Sequence, residues 1–325
     1  MREITSTKSC QDDELLVSFV VATYNSSSTV LETLDSIYRQ TYQNLELIVT
    51  DDCSLDNTVA VCKNWIENHP DRFTHATVVT TRQNTGVSGN FNRGVRASQG
   101  EWIKTIAGDD ILIPEAIQEY IHYVKQSDDD IQMCVSDVEL FTGSGRIPSK
   151  IADAYGDYIR IAQEPYPKQW SRIKHRQTFV GPTFFYSRAL YDKIGGFEEK
   201  YGNCEEWPFV YKVLKSGHRI FVIEKKLVKY RVSENTLSRK KESNGLDNYS
   251  LFLSTYHFFF DYPFRDLLKE HRYLAAYYLS MSYLTDRFRY ISNNSRFSNV
   301  LKSVLCPNAD QKWVKKLVKL QEKLC

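Results

Sequence analysis

Short apolar runs alternate with amphipathic segments over residues 15–141. The apolar runs are rich in β-branched residues and predict buried strands at 16–22, 45–50, 76–81, 102–107 and 131–141. Between them, apolar residues recur at helical spacing after Ser, Asn or Pro residues that suit helix starts. This alternation predicts a right-handed, mainly parallel α/β sheet.

The pattern changes after residue 141. Residues 143–177 contain several Gly and Pro residues and are predicted to be irregular or mobile. The elements predicted next are strands at 179–187 and 219–224 and a helix at 205–215.

Aromatic residues at helical spacing dominate the chain after about residue 240. They predict helices over 246–260 and 266–290, and the apolar stretch 273–284 is interpreted as a buried helix. Residues 312–324 predict a basic amphipathic helix. Its lysines would either form a solvated face or hold the helix on an anionic membrane surface.

Composition narrows the class of protein. The 325 residues include 42% hydrophobic and 25% charged residues, with a net charge of +2, as in a globular protein with no general affinity for nucleic acid. No secretory signal or membrane-spanning stretch is recognisable. The seven cysteines include no CxxC pair and indicate a reduced, cytoplasmic protein.

Two acidic pairs follow predicted strands. Asp51-Asp52 ends the second strand, and Asp109-Asp110 follows the fourth. Ligands of open α/β sheets bind beyond the carboxyl ends of the strands, so both pairs can face one crevice. Carboxylates gathered there suit a hard divalent cation and a nucleotide.

A series of short motifs lies in a fixed order between residues 15 and 240. They occupy residues 17–25, 36–42, 46–58, 84–86, 97–101, 108–110, 194–197, 205–207 and 230–231. Together they resemble family 2 glycosyltransferases. The resemblance implies a GT-A fold, transfer of a sugar from a nucleotide-diphosphate sugar with inversion, and a bound Mg²⁺ or Mn²⁺.

The same resemblance implies a division of the chain. A polar leader (1–14) would precede a GT-A domain at 15–240, with a nucleotide-binding half at 15–141 and an acceptor half at 142–240. A helical C-terminal region would follow at 241–325.

Individual residues of the base pocket follow from the resemblance. Thr23, Tyr24 and Asn25 would line the pocket, and Asp52 would contact the base, with uracil or thymine as the expected base. Asp51 is interpreted as a turn residue. The same site would include Asn84 and Gly86, which could otherwise form only a turn before a helix.

The resemblance assigns the diphosphate end of the donor to the second acidic pair. Asp109 would hydrogen-bond the ribose, and Asp110 would hold the metal. Arg82 or Arg231 could donate to the phosphates, although an exposed ion pair is an equal interpretation of Arg231.

Glu206 matches the position of the family's catalytic base. A carboxylate there could take the proton of an acceptor hydroxyl. The family more often has Asp as the second acid, so Glu205 is kept as the backup candidate. A further departure is Cys53, which stands where the family usually has glycine.

The expected setting is surface-polysaccharide assembly, such as an O-antigen or capsule, on a glycan or lipid-linked glycan acceptor. It follows from the family and from the segment 312–324, which could hold the protein at the inner face of the cell membrane. One alternative is a nucleotidyltransferase, although the loop after the first strand lacks glycine and basic residues. Another is a non-catalytic nucleotide- or sugar-binding module.

Overall fold

The computed structural model describes residues 15–142, 157–176, 179–202, 204–232 and 249–292. The strands in this part of the chain are β1 (Val17–Thr23), β2 (Leu45–Asp51), β3 (His75–Thr80), β4 (Trp102–Ala107), β5 (Ile111–Leu112), β6 (Met133–Phe141), β7 (Phe185–Ser187) and β8 (Phe221–Arg231). They form an eight-stranded sheet with the order β3-β2-β1-β4-β7-β6-β8-β5.

Helices connect these strands and continue beyond the sheet. In chain order they are α1 (Val30–Tyr38), α2 (Thr58–Glu67), α3 (Gly86–Ala97), α4 (Ala116–Gln126), α5 (Asp157–Gln163), α6 (Tyr166–Ile173), α7 (Arg188–Ile194), α8 (Glu206–Lys215), α9 (Tyr249–Asp261), α10 (Pro263–Lys269) and α11 (Tyr273–Ser292). Short 3₁₀ turns lie at Gly181–Thr183 and Glu199–Tyr201.

The first four strands of the sheet pair in parallel, as predicted. β1 lies between β2 and β4, and nearly all its side chains are buried. Continuous apolar runs are typical of such doubly covered parallel strands. The register places Thr23 beside Asp51 and Ala22 beside Ala107, so the carboxyl ends of three strands lie side by side.

The second part of the sheet is mixed. β7 pairs antiparallel with both β4 and β6, and β6 pairs parallel with β8. The predicted strand at 179–187 is shorter than expected, because Pro182 has no N–H for a ladder and residues 181–183 turn instead. β8 is longer than predicted and continues past three exposed charged residues beside an irregularity in its pairing with β6.

The prediction of an irregular segment at 143–177 was wrong for its second part. Residues 157–173 form α5 and α6, which Gln169 holds together because its buried amide donates to the carbonyls of Ala162 and Ile220. The segments are short, so their periodicity is weak in the sequence. Residues 143–156 lie outside the described residues.

The C-terminal helices also differ from the prediction. The helix predicted at 266–290 is divided between α10 and α11, with His271 at a φ of 58° between them. The stretch 273–284 is not a buried helix, since Tyr273 and Tyr277 are 55% and 49% exposed. Among the described residues, no helix has the length and apolar character to cross a bilayer. The helix predicted at 312–324 lies outside them.

Candidate active site

The two acidic pairs lie on either side of the end of β1. Asp51 ends β2 beside Thr23, and Gly108 follows β4 with its N–H donating to the carbonyl of Ala22 over 2.9 Å. A Cβ at position 108 would lie 2.9 Å from the Thr23 side chain. Glycine therefore allows the two strand ends to approach, and the sheet order places both pairs at one edge.

Asp51 organises the loop after β2. Its carboxylate accepts hydrogen bonds from the Ser54 backbone N–H over 2.8 Å and from the Ser54 and Thr23 hydroxyls over 2.5 and 3.2 Å. These contacts to its own turn are typical of aspartate in loops. They match the interpretation of Asp51 as a turn residue.

Asp52 joins β2 to the start of α3. Its buried carboxylate accepts hydrogen bonds from the N–H groups of Thr85 and Gly86 over 2.9 and 2.8 Å. A helix start favours a carboxylate in this position. Asn84 also contacts Asp52, through a 3.3 Å hydrogen bond to its carbonyl. The structure thus brings Asp52, Asn84 and Gly86 together, while contact with a nucleotide base stays a prediction.

Arg93 completes this cluster and was not predicted from the sequence. Its guanidinium donates to the Asp52 carboxylate over 2.9 Å, to the Asp51 carbonyl over 3.1 Å and to the Thr85 hydroxyl over 2.7 Å. Arg93 follows Gly86 by seven residues, which places both on one face of α3. That spacing could have predicted from the sequence that Arg93 lies near Gly86.

The predicted base-pocket residues lie in a loop that is fixed by backbone contacts. Asn25 has a φ of 51°; its N–H donates to the Ser54 hydroxyl and its side-chain carbonyl accepts from the Leu55 N–H, both over 2.8 Å. Thr23 is buried, whereas Tyr24 is 47% exposed. The Tyr24 ring is therefore accessible at the sheet edge. Arg82 lies exposed in the loop between β3 and α3.

Asp110 has an unusual environment for a carboxylate. The residue is 1% exposed, and its Oδ1 accepts a 2.9 Å hydrogen bond from the backbone N–H of Arg231. Its Oδ2 is buried without a hydrogen-bond partner among the described residues. Burial, with a further contribution from Asp109, raises the pKa of Asp110 well above its usual value. Burial also raises the pKa of Asp109.

Arg231 brings the end of β8 to the acidic pair. Its Nε donates to the Asp109 carbonyl over 2.8 Å, and its terminal nitrogen pairs with Glu32 over 2.9 Å. The guanidinium lies 4.5 Å from the centre of the Phe141 ring. The structure thus places a fixed positive charge beside Asp109 and Asp110.

These residues fit a hard divalent cation. A buried carboxylate oxygen without a donor, next to a second carboxylate, is a ligand that such a cation prefers. No cluster of three or more His, Cys, Asp or Glu ligands occurs in the part of the chain that the structure describes. Mg²⁺ does not require one, because one or two carboxylates can hold it together with substrate phosphates.

Glu205 and Glu206 lie at the start of α8. The Oε1 of Glu206 accepts a hydrogen bond from the Gly181 N–H over 2.6 Å. Burial, followed by the charge of Glu206, raises the pKa of Glu205 to about 8. The neighbouring carboxyl groups thus have different surroundings, which is how acids and bases are often separated in active sites.

Lys104 on β4 contacts residues 182 and 184, and it was not predicted from the sequence. The side chain is fully buried in β4, and its ammonium group donates to the carbonyls of Pro182 and Phe184. Burial lowers the pKa of Lys104 to about 7, against an opposing contribution from Asp110. A lysine within an apolar strand was itself the available signal, since buried lysines are rare.

Comparison with known proteins identifies the family. The profile of the family described as "Glycosyl transferase family 2" matches residues 18–195, more than half of the chain. The chain belongs to this family. The predicted family, and with it the class of glycosyltransferases, is therefore confirmed.

Curated relatives of the family 2 chain include proteins of Rhizobium meliloti and Bacillus subtilis. The "Succinoglycan biosynthesis protein ExoO" of Rhizobium meliloti is 26% identical over 71% of this chain and 65% of its own length. The uncharacterized glycosyltransferase EpsJ of Bacillus subtilis is 23% identical over 72% of this chain and 66% of its own length. The chain thus spans about two thirds of these relatives.

Solved structures share the fold of this family 2 chain. TarS of S. aureus (residues 1–349) in complex with UDP-GlcNAc superimposes with a TM-score of 0.59, at 19% identity, over 84% of this chain and 73% of TarS. The mannosyltransferase PcManGT of Pyrobaculum calidifontis, in complex with GDP-Man and Mn²⁺, superimposes with a TM-score of 0.58 at 18% identity. The match covers 95% of this chain and 84% of PcManGT. These similarities confirm the predicted GT-A fold.

Proposed function

We propose that the protein transfers a sugar from a nucleotide-diphosphate sugar to a hydroxyl of a glycan or lipid-linked glycan, with inversion at the anomeric carbon. The surroundings of Asp110 carry this proposal. A buried carboxylate with one oxygen unpaired, at the end of a central parallel strand and beside Arg231, suits a metal–diphosphate group.

The donor site is proposed to extend along the sheet edge. Thr23, Tyr24 and Asn25 would line the base pocket, with Tyr24 offering an accessible ring, and Asp109 would bind the ribose. Asp52 would shape the pocket by fixing the start of α3. We keep uracil or thymine as the expected base; the structural relatives with UDP-GlcNAc and GDP-Man do not choose between bases.

The diphosphate is proposed to lie at Asp110. This residue would hold Mg²⁺ or Mn²⁺, and Arg231 would add a fixed positive charge. The metal, when bound, supplies Lewis-acid stabilisation of the negative charge on the departing diphosphate. The Mn²⁺ in PcManGT supports a metal of this kind.

Glu206 is proposed as the catalytic base. The acceptor oxygen attacks the anomeric carbon while its proton passes to the Glu206 carboxylate, and the bond to the diphosphate oxygen breaks with its electron pair. Burial raises the pKa of Glu205, which favours its protonated form and makes it the second choice for the base. It remains the backup candidate for the Glu206 role.

The proposed setting is surface-polysaccharide biosynthesis at the inner face of the cell membrane. The name of the ExoO relative, a succinoglycan biosynthesis protein, supports the polysaccharide part. The cytoplasmic location, the membrane contact through residues 312–324 and the domain boundaries stay predictions. Family membership favours sugar transfer over the nucleotidyltransferase and binding-module alternatives.

Thermal unfolding with nucleotides tests the donor site. Wild type and Asp110→Asn would be compared with UDP, dTDP, GDP and CMP, each with and without Mn²⁺. A ligand that binds only the folded state raises the melting temperature by mass action. We expect a Mn²⁺-dependent rise with one nucleotide, lost in Asp110→Asn.

Asp35→Asn is the matched control, because Asp35 is a half-buried carboxylate on α1 that contacts Trp65. This variant should respond as wild type does. A full response in Asp110→Asn, or no response of wild type to any nucleotide, would contradict the proposed donor site. Release of nucleoside diphosphate from UDP-GlcNAc, GDP-Man and other donor sugars then tests turnover.

A further inference from the structure

Lys104 is a charged residue in the middle of the central sheet. It lies in β4, where its neighbours across the sheet are Phe19 on β1 and Phe185 on β7. The side chain is 0% exposed. Burying an ammonium group costs several kcal/mol even after relaxation, so stability alone is weak grounds for a lysine here.

Outside its own strand, the ammonium group donates hydrogen bonds to one short segment and lies 5.6 Å from the centre of the Tyr120 ring. We call residues 181–184 the Gly181 turn. Lys104 Nζ donates to the Pro182 carbonyl and, over 3.2 Å, to the Phe184 carbonyl. The hydroxyl of Tyr120, from α4, donates to the Thr183 carbonyl over 2.9 Å. Two buried side chains therefore hold three consecutive carbonyls of this turn.

The other end of the Gly181 turn contacts Glu206. The Gly181 N–H donates to Glu206 Oε1 over 2.6 Å. A Cβ added at position 181 would lie 2.5 Å from that oxygen, so any larger residue would displace the carboxylate. The Gly181 turn thus connects Lys104 in the sheet, through hydrogen bonds, to the carboxylate at the start of α8.

We propose that Lys104 is a positioning residue for Glu206. It fixes the Gly181 turn, and the turn's leading N–H fixes the carboxylate in the orientation that accepts the acceptor proton. This inference rests on the proposed function of Glu206 as the base. Reactions of this kind are sensitive to small displacements, and about 1 Å of misplacement can cost about 100-fold in rate.

Lys104→Met tests the inference, because methionine keeps most of the length and removes the charge. We would measure hydrolysis of the donor sugar selected by the nucleotide panel, with water as the acceptor, as release of nucleoside diphosphate. We expect kcat to fall by about 10- to 100-fold, with the donor KM unchanged within about twofold. Deuterium uptake by peptides covering residues 179–185 should become faster.

Lys174→Met is the matched control. Lys174 is 1% exposed, pairs with Glu270 and lies 4.4 Å from the Trp170 ring centre, so it is an equally buried lysine with different contacts. We expect wild-type kcat and unchanged deuterium uptake at 179–185. A merely structural role of Lys104 would instead lower stability in both variants and leave kcat unchanged.

Gly181→Ala provides a second route to Glu206 that does not touch Lys104. It should lower kcat to a similar extent. Where Lys104→Met does not fold, the kcat of Gly181→Ala tests whether the Gly181 turn positions Glu206. In combination with Glu206→Gln, neither Lys104→Met nor Gly181→Ala should cause further loss, because both act through the same carboxylate.

Three outcomes would overturn the inference while leaving the proposed function intact. The first is a wild-type kcat in Lys104→Met, or in Gly181→Ala where Lys104→Met does not fold. The second is a loss of kcat in Lys174→Met as large as that in Lys104→Met. The third is a multiplicative loss of kcat when Lys104→Met is combined with Glu206→Gln. A wild-type protein that releases nucleoside diphosphate from no donor sugar would overturn the proposed function, and this inference with it.

Discussion

Arg231 contacts the acidic pair with both its backbone and its side chain. Its N–H donates to Asp110 Oδ1 over 2.9 Å, and its Nε donates to the Asp109 carbonyl over 2.8 Å. The two parts of the residue therefore have separate roles. The backbone orients the Asp110 carboxylate, while the guanidinium supplies a positive charge for a bound diphosphate.

Arg231→Met should separate these roles. The variant keeps the backbone N–H at Asp110 but loses the guanidinium beside Asp109. We expect the Kd of the preferred nucleoside diphosphate with Mn²⁺ to rise by about 10-fold, because charge-assisted hydrogen bonds contribute about 1.5 to 3 kcal/mol each. Calorimetric titration of wild type and variant measures this change.

Glu32→Gln is the control for the Arg231 experiment. Glu32 pairs with the same guanidinium over 2.9 Å, but its side chain is half exposed. Exposed ion pairs contribute about 0 to 1 kcal/mol, so nucleotide binding should stay close to wild type. Equal weakening in Glu32→Gln and Arg231→Met would argue that Arg231 only holds the local structure.

Glu206→Gln should slow turnover strongly and leave nucleotide binding intact. General base catalysis contributes about 100- to 10,000-fold, and glutamine cannot accept the proton. We expect a loss of that size in kcat for nucleoside diphosphate release, with an unchanged Kd for the nucleotide. Glu205→Gln is the matched variant and should keep most of its activity at neutral pH. The reverse result would assign the base to Glu205.

Glu205 should make stability depend on pH. Its pKa is raised from 4.5 to about 8 in the folded state, so the unfolded chain loses this proton at lower pH. Ionisation then favours unfolding, and the contribution of Glu205 to the free energy of unfolding falls between pH 4.5 and 8. Glu205→Gln should therefore match wild type near pH 4 and become more stable by about 1 to 3 kcal/mol near pH 8, allowing for screening at this half-buried site.

Urea denaturation at pH 4, 6 and 8 measures the effect of Glu205. Glu67→Gln, at an exposed position on α2, should follow wild type at each pH. A constant difference between Glu205→Gln and wild type across this range would show that the folded-state pKa of Glu205 is not raised.

The sequence predicted those parts of the site that depend on local pattern. Asp52, Asp109 and Asp110 each follow an apolar run, and parallel strands place their carboxyl ends at one edge. Arg231 was named through the resemblance to the family, but its contact with Asp110 depends on the pairing of β8 with β6 and β5, far along the chain. Pairing at such separation leaves no periodic signal in either segment.

Buried charge and short elements account for the other differences between the predicted and the observed structure. Lys104 interrupts an apolar strand, and only the packed sheet reveals that the Gly181 turn supplies its carbonyl partners. α5 and α6 are each about two turns long, too short for a helical period to stand out. Arg93 was within reach of sequence reasoning, through its spacing from Gly86 on α3.

Cys53 occupies a backbone conformation that favours glycine. Its φ is 68°, in the left-handed region, where a non-glycine residue costs about 1 to 2 kcal/mol. The resemblance to the family gives glycine at this position, and the backbone explains why. Cys53→Gly should therefore be as stable as wild type or more stable by up to about 1 kcal/mol, since the relief of strain exceeds or offsets the added unfolded-state entropy.

Cys53→Val should have the opposite effect. A β-branched residue is especially unfavourable at positive φ, so we expect a loss of about 1 to 2 kcal/mol. Cys53→Ala is the control, because it removes the thiol but keeps the Cβ, and it should stay close to wild type. Urea denaturation of the three variants should give a free energy of unfolding that decreases from Cys53→Gly through Cys53→Ala to Cys53→Val. A glycine variant that is less stable than the alanine variant would contradict the left-handed backbone at Cys53.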